Sequence, residues 1–294
     1  MKSNLKTIIK RTVIGWLYSV VQHWYDNVTS SYFKCGIGDI LLCRDMISNN
    51  QLLLTSRLMD VEAYIEKSDI TFPYQNTISR MAYGSKHREE EGNKKFEALI
   101  DSYKRDGYHT DSFITCDRDM NLLDGNHRMG LHIYEKIVCV NVRLLKRKIS
   151  FHYGIDWYYS IRLPTDFLNN ILRRYKEIQT WLVDNGLTFC AYFSDDKSKL
   201  ISDMYGLCRV MRVIIVKDYP GALILFAMSE PKYKVIDGEL ISLRATKINQ
   251  ILEKRKTAGE SFIISKNCLE GHHLYKKYTE TNKNSLSSKG KVDY

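Results

Sequence analysis

The chain has no CxxC pair and no close Cys/His cluster, and its seven cysteines are scattered over 294 residues. A structural zinc site and a disulfide framework are therefore not expected. Unpaired thiols fit a reducing compartment, read here as the cytoplasm. Long apolar runs are also missing. The longest, Val13–Val21, is too short to span a bilayer, and no small-residue cleavage site follows it. Residues 1–25 thus read neither as a transmembrane helix nor as a signal peptide. The same segment has no acid before Asp26, although Lys2, Lys6, Lys10 and Arg11 supply positive charge. No internal repeat is present, so a repeat architecture is not expected.

What the chain does have is enough apolar sequence for real cores, 44%, and many aromatics, with 20 Tyr. Its length suits one large domain or two ordinary ones, and two are preferred here. A formal charge of +10 points to acidic partners: nucleotides, nucleic acid, anionic glycans or an anionic membrane face. In residues 1–25, Ile9, Val13, Trp16, Leu17, Val20 and Trp24 share one helical face. That face suits either docking on a core or, given the lysines and tryptophans, peripheral association with a membrane surface.

Residues 26–79 are poorly periodic, with a helix expected around Thr55–Glu66 and a turn at Phe72-Pro73-Tyr74. The charged stretch SRMAYGSKHREEEGNKKF, 79–96, reads as an exposed loop. Phe96, Leu99, Ile100 and Tyr103 then mark a helix that Gly107 ends. Strands are expected at Ser112–Thr115, at Leu122-Leu123 and over 137–145, the last strongly β-branched. Beyond 151 come an aromatic segment, a helix over Asp166–Asn185, and strands at Thr188–Phe193, Arg209–Val216 and Ala222–Met228. A final helix is expected over Glu239–Lys256. Residues 276–294, rich in Lys, Ser and Asn without apolar period, read as a disordered tail.

The stretch NLLDGNHRMGLHIYEK, 121–136, carries the most chemistry. Leu122 and Leu123 end a strand, Asp124-Gly125 is a turn signal, and Met129, Ile133 and Tyr134 begin helical spacing. A strand, a glycine turn and a helix start form an anion site, because the first helical N–H groups lack partners and the dipole is positive there. His127 and Arg128 would add donors for phosphate oxygens. On the plainer reading, Asp124 or Asn126 caps the helix and Arg128 is solvated.

With this order of helix, strand, strand, Asp124-Gly125-Asn126-His127-Arg128, helix and strand in view, residues from about 80 to 145 resemble the ParB/sulfiredoxin superfamily. The resemblance implies an α/β (α+β) architecture: a nucleotide-binding unit over 79–150, a helical N-terminal extension over 1–78, a C-terminal α+β domain over 151–275, and the tail. Sulfiredoxins carry a nucleophilic Cys where this chain has Asn126, and Asn cannot form the thiol adducts that sulfinic-acid repair needs. Chromosome-partitioning ParB proteins continue into a helix-turn-helix domain, and none follows residue 145, so specific DNA binding is not expected. The motif is most similar to the DGxHR of the free-serine-kinase branch, which also keeps a His-Glu pair before the first helix. The matching stretch here is His87-Arg88-Glu89-Glu90-Glu91, with Arg88 inserted.

The resemblance implies a kinase acting on a small hydroxylated acceptor: an amino acid, a polyol or a sugar, in a setting such as glycan biosynthesis. Gly125, Asn126, His127 and Arg128, with Lys86 and His87, would hold the phosphates of ATP or ADP. Glu89 or Glu90 would take the acceptor's proton, and Asp124 would orient His127 or help hold Mg²⁺. The plainer reading of the glutamates is a solvated helix lead-in. The alternative function is a ParB-like nucleotide-binding or DNA-associated module without kinase activity. His132 reads as structural, His272-His273 carries no assignment, and Trp157, Tyr158, Tyr159 and Trp181 would suit stacking on a sugar or core packing.

Overall fold

The strand Cys139–Leu144 holds the first half of the molecule together. In the computed structural model, which describes residues 2–41, 51–67, 86–107, 112–148, 165–195, 198–217, 219–228 and 232–280, ten strands and nine helices are laid out in mixed helix-and-sheet order. They are β1 (Ser31–Gly36), β2 (Ile114–Cys116), β3 (Leu122–Asp124) and β4 (Cys139–Leu144), then β5 (Phe189–Ser194), β6 (Arg209–Val216), β7 (Gly221–Ala227), β8 (Tyr233–Ile236), β9 (Glu239–Ser242) and β10 (Ser261–Ile264). The helices are α1 (Lys2–Thr29), α2 (Ile37–Leu41), α3 (Gln51–Glu66), α4 (Lys86–Asp106), α5 (Asn126–Tyr134), α6 (Thr165–Asp184), α7 (Ser198–Leu207), α8 (Leu243–Arg255) and α9 (Cys268–Thr279).

The first sheet runs β1-β4-β2-β3. β4 pairs antiparallel with β1 and parallel with β2, and β2 pairs antiparallel with β3. The tight return between β2 and β3 is built by Asp117, whose carboxylate accepts from the N–H groups of Asp119 and Asn121 and from the Asn121 amide. Such local acceptors stabilise a turn that the backbone alone would leave unpaired. The crossover from β2 to its parallel neighbour β4 then carries the motif helix α5. α3 and α4 pack on it, with Val61, Phe96, Ile100 and Leu131 forming a small buried cluster.

The second sheet, β10-β5-β7-β6, is antiparallel throughout. β7 is buried along its whole length, as its apolar run GALILFA requires. α6 packs on α3, and its buried residues Leu168, Ile171, Tyr175, Ile178 and Leu182 recur at helical spacing. One apolar cluster runs from Phe33, Ile114 and Val142 of the first sheet to Phe189 and Phe226 of the second. The two halves also meet at Asp39 of α2. Its Oδ1 accepts from Tyr233 Oη at 2.9 Å and from the Cys268 N–H at 2.9 Å. Burial pushes this carboxyl up to about 6.

Several sequence expectations are corrected. The stretch 79–96 is not a loop throughout: from Lys86 it is already α4, held by exposed pairs such as Glu91–Lys95. Residues 1–78 are not all helical, because β1 completes the motif sheet. Glu239–Ser242 is a strand paired with β8, and the helix begins only after Ser242, whose Oγ caps it by accepting the Ala245 N–H. The tail expected from 276 is helical through Thr279, so α9 runs across the boundary set at 275. α1 does not dock on the core through its apolar face: Trp16 and Trp24 are 63% and 64% exposed. The turn at 72–74 and residues 281–294 lie outside the described residues, as do Trp157, Tyr158 and Tyr159.

Candidate functional site

β3 delivers Asp124 to the surface, and the chain then turns through Gly125 at φ 93°, ψ 21°. This left-handed conformation favours glycine. A Cβ there would also come within 2.9 Å of Ile114 Cδ1, so that side-chain end would have to shift as well. Neither Asp124 nor Asn126 caps the helix: Gly125 is the N-cap, and no side-chain cap bond is made. The first intrahelical bond runs from the Met129 N–H to the Gly125 carbonyl at 2.8 Å. The N–H groups of residues 126–128 precede it, which gives the helix start its positive end.

A cleft of about 270 Å³ opens there, lined by Arg57, Leu99, Asp124, Gly125, Asn126, His127 and Arg128. The Arg128 guanidinium is aimed by two contacts, Nη1 to Ser112 Oγ at 2.8 Å and Nη2 to Asp124 Oδ2 at 3.4 Å. The second is a partly exposed ion pair and adds little stability. Asp124 thus meets Arg128 rather than orienting His127. Asn126 turns its Oδ1 inward, where it has no hydrogen-bond partner among the described residues.

His127 does not supply the positive charge expected of it. The ring keeps some exposure toward the cleft, but its Nε2 is buried and its face tilts against Phe96 with centroids 5.0 Å apart. Burial first, then the nearby Arg57 charge, push it down to about 3, so it is neutral at physiological pH. The second cation is instead Arg57 on α3, 5% exposed, with Nη1 3.2 Å from the buried Asp60. Sequence reasoning passed over this residue. The signal was there: Arg57 falls at helical spacing among Leu54, Leu58 and Val61, where an apolar residue would be ordinary.

The helices are set close enough for this by Gly130. A Cβ on it would lie 3.0 Å from the Leu58 N atom and 3.1 Å from the Arg57 carbonyl carbon, so α3 touches α5 backbone to backbone. His132, one turn on from Arg128, is buried and pushed down to about 4.

The glutamates stand apart. Glu90 is exposed and does not line the cleft, and His87 is exposed as well. Glu91 is exposed and spends its charge on Lys95. Glu89 lies two helical turns before Phe96, which places it ~10 Å along the axis. The side chains of Lys86 and Glu89 lie outside the described residues. Among the described residues no group of three His, Cys, Asp or Glu gathers to hold a metal.

A second cavity, of about 280 Å³, lies between α3, α5 and α6 and is lined by residues including Glu62, Tyr134, Arg174, Glu177 and Trp181. Its charges balance: Arg174 bridges Glu62 and Glu177, and Lys136 also lines the cavity. At His272, Nδ1 meets the Asn185 carbonyl at 2.8 Å, a contact that ties α9 to the end of α6.

The cleft therefore combines a helix start, an open Arg128, a buried Arg57 and a neutral imidazole, a set suited to multiply charged oxyanions. Comparisons with protein-family models, curated proteins and solved structures find no match for this chain.

Proposed function

We propose that the cleft at residues 121–130 holds the phosphates of a nucleotide, and that the chain is a nucleotide-dependent phosphotransferase acting on a small hydroxylated acceptor. The observation that carries this reading is the convergence of the Gly125 turn, the start of α5, Arg128 and Arg57 on one open cleft. Phosphoryl transfer needs chiefly positioning and neutralisation of charge; the helix start and two guanidiniums, Arg57 paired with Asp60 and Arg128 with Asp124, would share these tasks. ATP or ADP is the donor. The resemblance to the free-serine-kinase branch is what suggests a small hydroxylated acceptor. Asp124, an exposed carboxylate that meets Arg128, would offer Mg²⁺ one ligand, with phosphate oxygens and water completing the shell. His127, being neutral, serves as a hydrogen-bonding wall rather than as a counter-charge. The acceptor hydroxyl loses its proton to Glu89 or Glu90, on the first turns of α4.

One observation favours the alternative of a nucleotide-binding module without kinase activity: the α4 residue lining the cleft is Leu99, and Glu90 points away into solvent. Incubation with ATP, ADP and CTP against amino acids, polyols and sugars separates the two. Phosphate transfer supports the kinase, and nucleotide binding without transfer to any acceptor supports the module. A DNA-associated module would in addition bind duplex DNA at physiological salt, whereas charge-driven contact alone fades there.

A further inference from the structure

We infer that α1 is a docking helix for an anionic lipid surface, a role separate from the phosphotransferase reading. The inference begins with where the helix is held. Asp26, 7% exposed, takes both Nε and Nη2 of Arg147 at 2.7–3.0 Å. Next to it Asn27 and Ser30 accept from Arg143 at 2.7 and 3.0 Å. These contacts fix one end of α1 to β4 and to the segment just after it.

At ~100° per residue, Asp26 lies opposite the middle of a wide apolar sector. That sector contains Trp16, Leu17, Val20, Val21, Trp24 and Val28, all exposed, with Tyr18 and Tyr25 at its far edge. Gly15, Ser19, Gln22 and His23 share the Asp26 side. The clamp therefore turns the apolar sector away from the body, where the described structure covers none of it. Solvent-facing Trp, Tyr and Val at this density are costly unless something buries them.

Charge decides what does. Residues 1–25 carry Lys2, Lys6, Lys10 and Arg11 and no acid. By the same angular spacing the three lysine positions fall in the apolar sector rather than opposite it. A parallel second copy packed on this face would set lysine against lysine. The sector, spanning about 200°, is also wider than the narrow seam of a two-stranded coil. An anionic bilayer accepts both features on one face: lysines meet headgroup charge, and Trp and Tyr rings settle at the headgroup level. The helix cannot instead cross the bilayer, since no helix among the described residues is long and apolar enough.

The test uses the full chain with vesicles of equal parts phosphatidylglycerol and phosphatidylcholine, and with vesicles of phosphatidylcholine alone. The expected result is co-sedimentation favouring the anionic vesicles by about tenfold, weakened by salt, with a blue shift of tryptophan emission. The double variant Trp16→Ser/Trp24→Ser, changed only at exposed positions, should lose most of the binding and the shift. Equal partition into both vesicle types overturns the inference, as does no partition into either. So does lipid-free dimerisation that the same double variant abolishes, because a second copy would then be the occupant.

Discussion

Replacing His127 by Gln should flatten the acid side of the stability curve by about 2 kcal/mol between pH 7 and pH 5. In the folded chain this imidazole is pushed down to about 3, chiefly by burial. In the unfolded chain it titrates at ~6.5. Above that value neither state binds the proton, and nothing is at stake. Below it the unfolded state takes the proton while the folded state does not, so stability falls as the solution is acidified. The slope approaches ~1.4 kcal/mol per pH unit and continues until the folded value is reached, so pH 5 lies about one and a half units into the window. Other groups act in the same range, among them His272, which burial also pushes down. His132, pushed down to about 4, adds a loss of the same sign. Asp39, pushed up to about 6, works the other way, because its folded carboxyl takes up a proton that the unfolded one declines until lower pH. The assay is urea unfolding of wild type and His127→Gln at both pH values. The quantity of interest is the difference between the two pH-induced changes, in which His132, His272, Asp39 and any constant packing cost of Gln cancel. Parallel pH profiles for the two proteins, within about 0.5 kcal/mol, would refute the assignment of a buried neutral imidazole at the cleft.

Arg128→Ala should weaken nucleotide binding by roughly 1.5–3 kcal/mol, the scale of a charge-assisted contact. Unchanged titration of ATP with the fold intact would sink the phosphate site. Gly130→Val should cost about 1–3 kcal/mol in chemical denaturation, because its side chain meets the α3 backbone and forces the two helices apart. A variant as stable as wild type would show that α3 can give way. Of Glu89→Gln and Glu90→Gln, one should lower turnover by ~10²–10⁴-fold with nucleotide affinity nearly intact. If both keep full turnover once an acceptor is known, α4 does not supply the base.

How much of this was legible depends on where each signal resides. α5 and β6 could be placed within a residue or so from pattern alone, because the Gly125 turn and the β-branched run RVMRVIIV are local statements. The start of α4 could not. Residues 86–95 have no apolar stripe, and what favours helix there is the propensity of Lys, Arg and Glu together with i,i+4 pairing, which periodicity does not see. β1 was missed because its partner β4 lies about a hundred residues on, and a six-residue strand with such a distant neighbour announces itself weakly. At the cleft, residues 124–128 were readable from the turn. Arg57 was not read, since it reaches the site through the packing of α3 on α5, closest at Gly130. The apolar face of α1 was visible in the spacing, but whether it covers a core depends on where Asp26 is clamped.

Asp39 has a practical consequence for anyone who would divide this chain. One oxygen of one side chain holds the Tyr233 hydroxyl of β8 and the backbone N–H that opens α9, while its own helix leads directly out of β1. Cutting between residues 150 and 151, the boundary expected from the sequence, would leave that carboxylate facing water and would open the apolar cluster joining Phe33 to Phe226. Neither fragment would be expected to fold by itself. The two halves should melt in a single transition, and nucleotide protection at the cleft should be felt as added resistance to proteolysis in the distant C-terminal helix.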